Sequence, residues 1–305
     1  MLYFFSSKKK KQKQKGVTVL LVDNGSLRPS SYLSLCNMAS SVAQLTGVPV
    51  IPASARFADK LDPKDLDGRS GEILSGVITR LASEGERHFL ILPAFLGPSD
   101  TLKSLVPATF SRLASTYPGL GFSLASPLVR LGSLDGESDN RVAQALLEGV
   151  IVTMATHGLV PEDTAVILCD HGSPHPDVAA VRGHVAAQLG ALLAHPSRPR
   201  FRAPLSEASM ERRPGPEFDF NEPLLEKVLR REPYDRGSVV LALLFLSPGA
   251  HAGPGGDIAE IARAAMEEAG REGRSLNVFT TPLLGPKVAN ILADRLKTAL
   301  IEFDI

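Results

Sequence analysis

Short apolar runs alternate with longer amphipathic stretches along the chain. Ala165–Cys169 is an unbroken apolar run rich in Val, Ile and Leu, the pattern of a strand buried on both faces, and it stops at Asp170-His-Gly-Ser-Pro-His-Pro176. Beyond it Val178, Val181, Val185, Leu189, Leu192 and Leu193 recur at helical spacing, which predicts a helix over Asp177–Ala194. The alternation continues with strands at Phe201–Ala208, Ser238–Leu246 and Asn277–Thr280 and helices at Glu222–Arg231, Asp257–Glu272 and Val288–Ile301. Strands that alternate with helices form a parallel sheet covered on both faces, because every parallel neighbour needs a crossover.

The same order occurs once before. Val17-Thr-Val-Leu-Leu-Val-Asp-Asn-Gly-Ser-Leu-Arg-Pro29 repeats the strand, Asp, Gly-Ser and Pro of Ala165–Pro176, with Asn24 where His171 stands. His88–Leu92 enters a loop in which Phe95, Leu96 and Pro98 match Phe245, Leu246 and Pro248, and Thr101 matches His251. Each half then closes alike, through Pro127-Leu128 or Pro282-Leu283, on an amphipathic helix, Val142–Thr153 or Val288–Ile301. A duplication with a period of about 150 residues is the organising feature. The predicted fold class is α/β: two pseudo-symmetric doubly wound domains, each a four-stranded parallel sheet flanked by helices. The expected boundaries are a tail over 1–16, an N-terminal domain over 17–158 and a C-terminal domain over 159–305, parted where Gly158 ends a helix and Pro161 blocks its continuation.

Composition narrows the function classes. Lys plus Arg and Asp plus Glu both number 33, so no global field draws the chain to nucleic acid or an anionic membrane. Aromatics are 6% with no Trp, against base-stacking platforms. Cys36 and Cys169 stand far apart, without a CxxC, so neither a disulfide nor an iron–sulfur cluster is expected and a reduced, cytoplasmic chain is. No apolar run approaches the roughly 18 residues of a membrane span, and the N-terminal lysines follow the apolar patch, the wrong order for a secretory signal. Lys8–Lys15 reads as a solvated disordered tail, with contact to anionic lipid or RNA as the alternative.

The chemistry-bearing residues gather at strand ends in the second half, where open α/β sheets bind ligands. His171 and His251 each follow a buried strand, and two imidazoles from neighbouring loops suit a divalent ion with positions left open. Glu211, after the second strand of that half, could attract the cation or accept protons, or pair in solvent with Arg212 or Arg213. Those arginines and Arg182 could face an acidic substrate or be surface residues. The loop Ser247-Pro-Gly-Ala-His-Ala-Gly-Pro-Gly-Gly-Asp257 exposes backbone and opens a helix whose N-terminus favours anionic groups. It carries neither a Walker Gly-Lys-Ser/Thr nor GxGxxG, so no nucleotide is expected. Asp257 reads as that helix's N-cap, with Glu260 completing a capping box. His175 stands four residues after His171, but Pro174 and Pro176 exclude a helix that would align them, and Cys169 reads as a buried inert thiol.

With Asp170-His-Gly-Ser173, Ser209-Met-Glu211 and Phe245-Leu-Ser-Pro-Gly-Ala-His251 in order on successive strand ends, the chain resembles the class II chelatases, the sirohydrochlorin cobaltochelatase and ferrochelatase family, over roughly Val17–Ile301. The resemblance implies an ATP-independent lyase of cobalamin or siroheme biosynthesis that inserts Co2+ or Fe2+, the metal being a substrate, into a sirohydrochlorin-type tetrapyrrole. It implies that His171 and His251 bind metal and accept protons, that Glu211 assists, and that Ser173, Arg212, Ser247 and Gly253 contact the substrate. In the first half Asn24 and Thr101 replace the histidines, and Ala53-Ser-Ala-Arg56 carries no glutamate, so that half is expected to be a degenerate copy. The alternatives are a protein that binds or delivers metal or tetrapyrrole without metallating it, and a scaffold recruited through the lysine tail. Residue types leave cobalt, iron and nickel open. A two-domain monomer is expected from the duplication.

Overall fold

The apolar runs become parallel strands in a computed structural model that describes residues 17–131, 139–253 and 255–304; the Lys8–Lys15 run and the expected 1–16 tail lie outside the described residues. Strands β1 (Thr18–Asp23), β2 (Val50–Ser54), β3 (His88–Pro93) and β4 (Gly121–Leu124) pair in the order β2-β1-β3-β4. Strands β5 (Thr164–Asp170), β6 (Ser206–Ser209), β7 (Gly237–Leu243) and β8 (Leu276–Thr280) pair in the order β6-β5-β7-β8. All seven residues of β5 are buried, which is why its sequence does not alternate. In each sheet the chain leaves the first strand to one side and returns to pair on its other side, so the topological switch point lies between β1 and β3 and between β5 and β7.

The helices are α1 (Pro29–Thr46), α2 (Leu74–Ser83), α3 (Val106–Ala114), α4 (Arg141–His157), α5 (Pro176–Leu193), α6 (Leu225–Val228), α7 (Asp257–Arg271) and α8 (Ala289–Glu302). Proline sits in the first turn of α1 and of α5, where its missing N–H costs nothing and its fixed φ suits the helix. Strand β7 ends at Leu243, three residues before the expected Leu246, and two further elements are markedly shorter than the periodicity predicts. Strand β6 starts at Ser206 because Pro204 cannot donate to a ladder. Helix α6 is one turn, since Pro223 and Pro233 bracket it and Pro216–Asn221 forms 3₁₀ turns instead.

Packing divides the chain differently from the repeat. One compact unit runs to Leu128 and resumes at Gly285; the other spans Val129–Leu284. Helix α4 packs on α5 and β7, whereas α8 packs on α1 and β3, where Arg295 donates to the carbonyls of Pro127 and Leu128 at 3.0 and 2.9 Å. The expected domains, 17–158 and 159–305, thus follow the duplication, while the compact units exchange the last helix of each half. Periodicity shows which residues repeat, not which sheet a closing helix covers. In the second unit the core gathers Ala165, Ile167, Val239, Leu241 and Ile258; in the first it gathers Leu20, Val22, Ile78, Phe89 and Phe110. No described helix is long and apolar enough to cross a membrane.

Candidate metal centre

The rim of the second sheet is held from below by a buried ion pair. Asp170 ends β5, and Arg182 of α5, 3% exposed, reaches its Oδ1 at 3.3 Å. The same guanidinium donates to Ser209 Oγ, to Glu207 Oε2 at 3.1 Å and to the Phe220 carbonyl at 3.0 Å, which ties β5, β6 and α5 together. Burial lifts the Asp170 carboxyl above its ordinary range while Arg182 and Ser209 pull it back. Arg182, expected as a cation on the surface or facing an acidic ligand, is therefore a buried structural cation.

On this base the chain bends at Gly172. Its φ is +88°, and a Cβ there would fall 2.0 Å from the Glu211 carbonyl oxygen, so only glycine permits the approach. The loops after β5 and β6 come together through Met210 N to Asp170 O at 2.8 Å and Glu211 N to His171 O at 3.2 Å. His171 and Glu211 become neighbours, with His171 Nε2 3.4 Å from Glu211 Oε1.

His251 arrives from the loop after β7. Its ring lies 4.4 Å from that of His171, centroid to centroid, at an interplanar angle of 71°. Gly256 makes this possible, because a Cβ there would lie 2.6 Å from the Ala250 carbonyl oxygen. The tight loop also lets Ile258 N donate to His251 O at 3.2 Å. The two imidazoles thus meet at the switch point between β5 and β7.

Hydrogen bonds fix the tautomer of each ring. His171 Nδ1 lies 3.0 Å from the Gly172 carbonyl, and His251 Nδ1 lies 2.5 Å from Asp257 Oδ2. Carbonyl and carboxylate oxygens accept, so both Nδ1 atoms carry the proton, and in the neutral rings both Nε2 atoms keep a lone pair. Asp257 is not the expected N-cap: Gly256 occupies that position, no side chain caps α7, and the carboxylate turns to His251 instead. Among the described residues no three His, Cys, Asp or Glu side chains form a group that could hold a metal ion. The site is an open imidazole pair with a carboxylate beside it, and its side chains remain accessible, at 44% for His171, 35% for His251 and 58% for Glu211.

Of the expected substrate contacts, Arg212 is engaged elsewhere. It pairs with Asp219 at 2.5 Å and Glu222 at 3.1 Å and donates to Gly215 O, so it folds the 212–222 loop on itself. Ser173 is pinned by its backbone: its N–H donates to Asn221 Oδ1 at 2.9 Å and its carbonyl accepts from Asn221 Nδ2 at 2.8 Å. Ser247 and Gly253 are half-buried in the His251 loop, and Gly253 O accepts from Gly256 N. Arg213 lies over the Phe218 ring, 6.0 Å from its centroid. Cys169 is fully buried, its thiol pushed up by burial, and His175 is exposed just before α5. Sequence reasoning missed Asn221 and the partner of His251. Asp257, followed by Glu260 at capping-box spacing, reads from sequence only as a cap.

The first unit keeps the convergence of the two loops without the histidines. Thr101 Oγ1 donates to Asn24 Oδ1 at 2.7 Å, so the positions matching His251 and His171 also converge there. Asp23 pairs in register with Ser54 as Asp170 does with Ser209, which places Arg56 where Glu211 stands. Leu35 falls at the α1 position matching Arg182. Asp23 consequently lacks a guanidinium; its Oδ1 is buried without a hydrogen-bond partner, and burial pushes its pKa up to about 6.

The fold, two four-stranded parallel sheets flanked by helices, is like that of class II chelatases of known structure. The chain is similar over nearly its whole length to SirB from Bacillus subtilis with Fe3+ (TM-score 0.64, 18% identity, 95% of this chain and 98% of that one). It is likewise similar to the sirohydrochlorin chelatase SirB from B. subtilis subspecies spizizenii in complex with cobalt (0.62, 16%, 93% and 95%). CbiX, the terminal enzyme for biosynthesis of siroheme in denitrifying bacteria, is a third such structure (0.54, 17%, 94% and 100%). No protein-family model matches the sequence, and no curated protein does.

Proposed function

We propose that the second unit takes up Co2+ or Fe2+ through His171 and His251 and inserts it into a sirohydrochlorin-type tetrapyrrole, without ATP, in cobalamin or siroheme synthesis. The observation that carries this reading is the meeting of His171 Nε2, Glu211 Oε1 and the His251 ring at a switch point. With His171 neutral, Nε2 and Oε1 at 3.4 Å are both lone-pair groups, so a cation between them is favourable. Either a proton or a divalent metal fills that need. Metallation requires both: two pyrrole N–H protons leave the macrocycle as the metal enters.

Each residue has a part. The imidazoles are neutral ligands that release the ion to ring nitrogens more readily than thiolates would, and imidazole exchanges protons near neutral pH. Glu211 lies where it can receive a proton or hold His171 when that ring is charged. The half-buried Ser247 and Gly253 belong to a loop leading into the N-terminus of α7, which suits the carboxylate arms of the macrocycle. The relatives described as holding iron and cobalt, and as sirohydrochlorin chelatase and siroheme enzyme, support the same reading. A duplicated chain in one polypeptide is taken to act as a monomer.

Anaerobic incubation with sirohydrochlorin and Co2+ or Fe2+, followed by absorbance, tests the proposal. Metallation by the wild-type chain should fall at least about 100-fold in His171→Ala and in His251→Ala. A wild-type chain that binds both partners and never metallates would instead make it a carrier.

A further inference from the structure

His171 and His251 are oriented by different means. The acceptor for His171 Nδ1 is the carbonyl of Gly172, a part of the backbone. The acceptor for His251 Nδ1 is a side chain, Asp257, which stands first in α7 and is 52% exposed. A residue at that position has no need to turn backward. An acid in the first helical turn serves the helix dipole wherever its carboxylate points. Here the carboxylate lies at 2.5 Å from the imidazole, and the same segment holds the histidine backbone through Ile258 N to His251 O. His251 is therefore gripped by α7 at both its ring and its main chain.

We infer that Asp257 is the positioning residue of the metal site: it holds His251 as the Nδ1–H tautomer, so that Nε2 is the atom offered to the metal. The inference rests on the metal-site reading above and adds the residue that makes one of its ligands competent. An imidazole without such a partner samples both tautomers and rotates about its χ angles, and in the Nε2–H tautomer the lone pair is on the wrong nitrogen. Carboxylate support of this kind sets ring orientation as well as tautomer, and its loss weakens metal binding by about 10–100-fold.

Two measurements on the full-length chain test this. Long-range 1H–15N spectra of the metal-free protein report which ring nitrogen of His251 is protonated, the resonance being assigned by its absence in His251→Ala. Wild type should show Nδ1–H, and Asp257→Ala should shift His251 toward a mixture or toward Nε2–H. Asp257→Asn, whose amide oxygen accepts the same hydrogen bond, should restore Nδ1–H. A purely helix-starting role would leave the tautomer unmoved. Co2+ titration, followed in the visible absorbance of the ion, should weaken about 10–100-fold in Asp257→Ala and recover most of that loss in Asp257→Asn. An unchanged tautomer with unchanged Co2+ affinity in Asp257→Ala overturns the inference alone, as does an Asn variant no better than Ala. A wild-type chain that takes up no Co2+ overturns it together with the reading on which it rests.

Discussion

Asp23 and Asp170 are the same residue in the same register on two sheets, and their surroundings separate them. Burial raises both carboxyls, but Asp170 has Arg182 at 3.3 Å to pull it back, whereas Asp23 has an uncharged leucine at the matching helix position and a pKa raised to about 6. A carboxyl whose folded value lies above its unfolded value binds more protons when folded. Its stabilisation is complete below the unfolded value near 4 and is lost as pH rises through about 6. Asp23→Asn should therefore raise the unfolding free energy from urea denaturation at pH 8 by roughly 2 kcal/mol, after allowance for partial exposure, and change it little at pH 4. Equal effects at the two pH values would show that Asp23 is not a strained acid. Residues of this kind are hard to read from sequence. Asp257 followed by Glu260 has capping-box spacing, Arg182 sits on a helix like any surface cation, and Arg212 neighbours Glu211. Only tertiary structure sends the first to His251, buries the second and folds the third onto Asp219.

At the scale of elements, the strand ends were the most legible part of the molecule. Burial on both faces writes β5 as a continuous apolar run, and the Gly and Pro that follow mark where the chain must turn. His171, His251 and Glu211 could be placed on one rim for that reason, and the structure sets His171 beside both the His251 ring and the Glu211 carboxylate. Their juxtaposition hangs on Gly172, the contact point of the loops after β5 and β6. Gly172→Ala meets both a left-handed φ and the Glu211 carbonyl, and should cost at least about 2 kcal/mol in urea denaturation while weakening Co2+ binding. A fully stable variant with intact Co2+ binding would show that the loops can part without harm. The ends of β6 and α6 were less legible, because periodicity continues through Pro204, Pro223 and Pro233 where the backbone cannot.

For the whole molecule, duplication explains what two halves of similar sequence do differently. The first unit preserves the convergence, as Asn24 and Thr101, but supplies an amide, a hydroxyl and the exposed Arg56 where the second supplies two imidazoles and a carboxylate. A cation is favoured by the second set and not by the first. The repeat was visible from sequence at an offset of about 150 residues. The exchange of α4 and α8 between the compact units was not, since a helix reads the same whichever sheet it covers. The account consequently requires one metal per chain, bound by two histidines. Cobalt K-edge X-ray absorption on the anaerobic, Co2+-loaded chain measures this directly. It should show about two imidazole ligands per Co2+, falling to one in either His171→Ala or His251→Ala, with metal analysis of the same sample giving one Co2+ per chain. A Co2+ shell without imidazole, or one unchanged when both histidines are replaced, would contradict it.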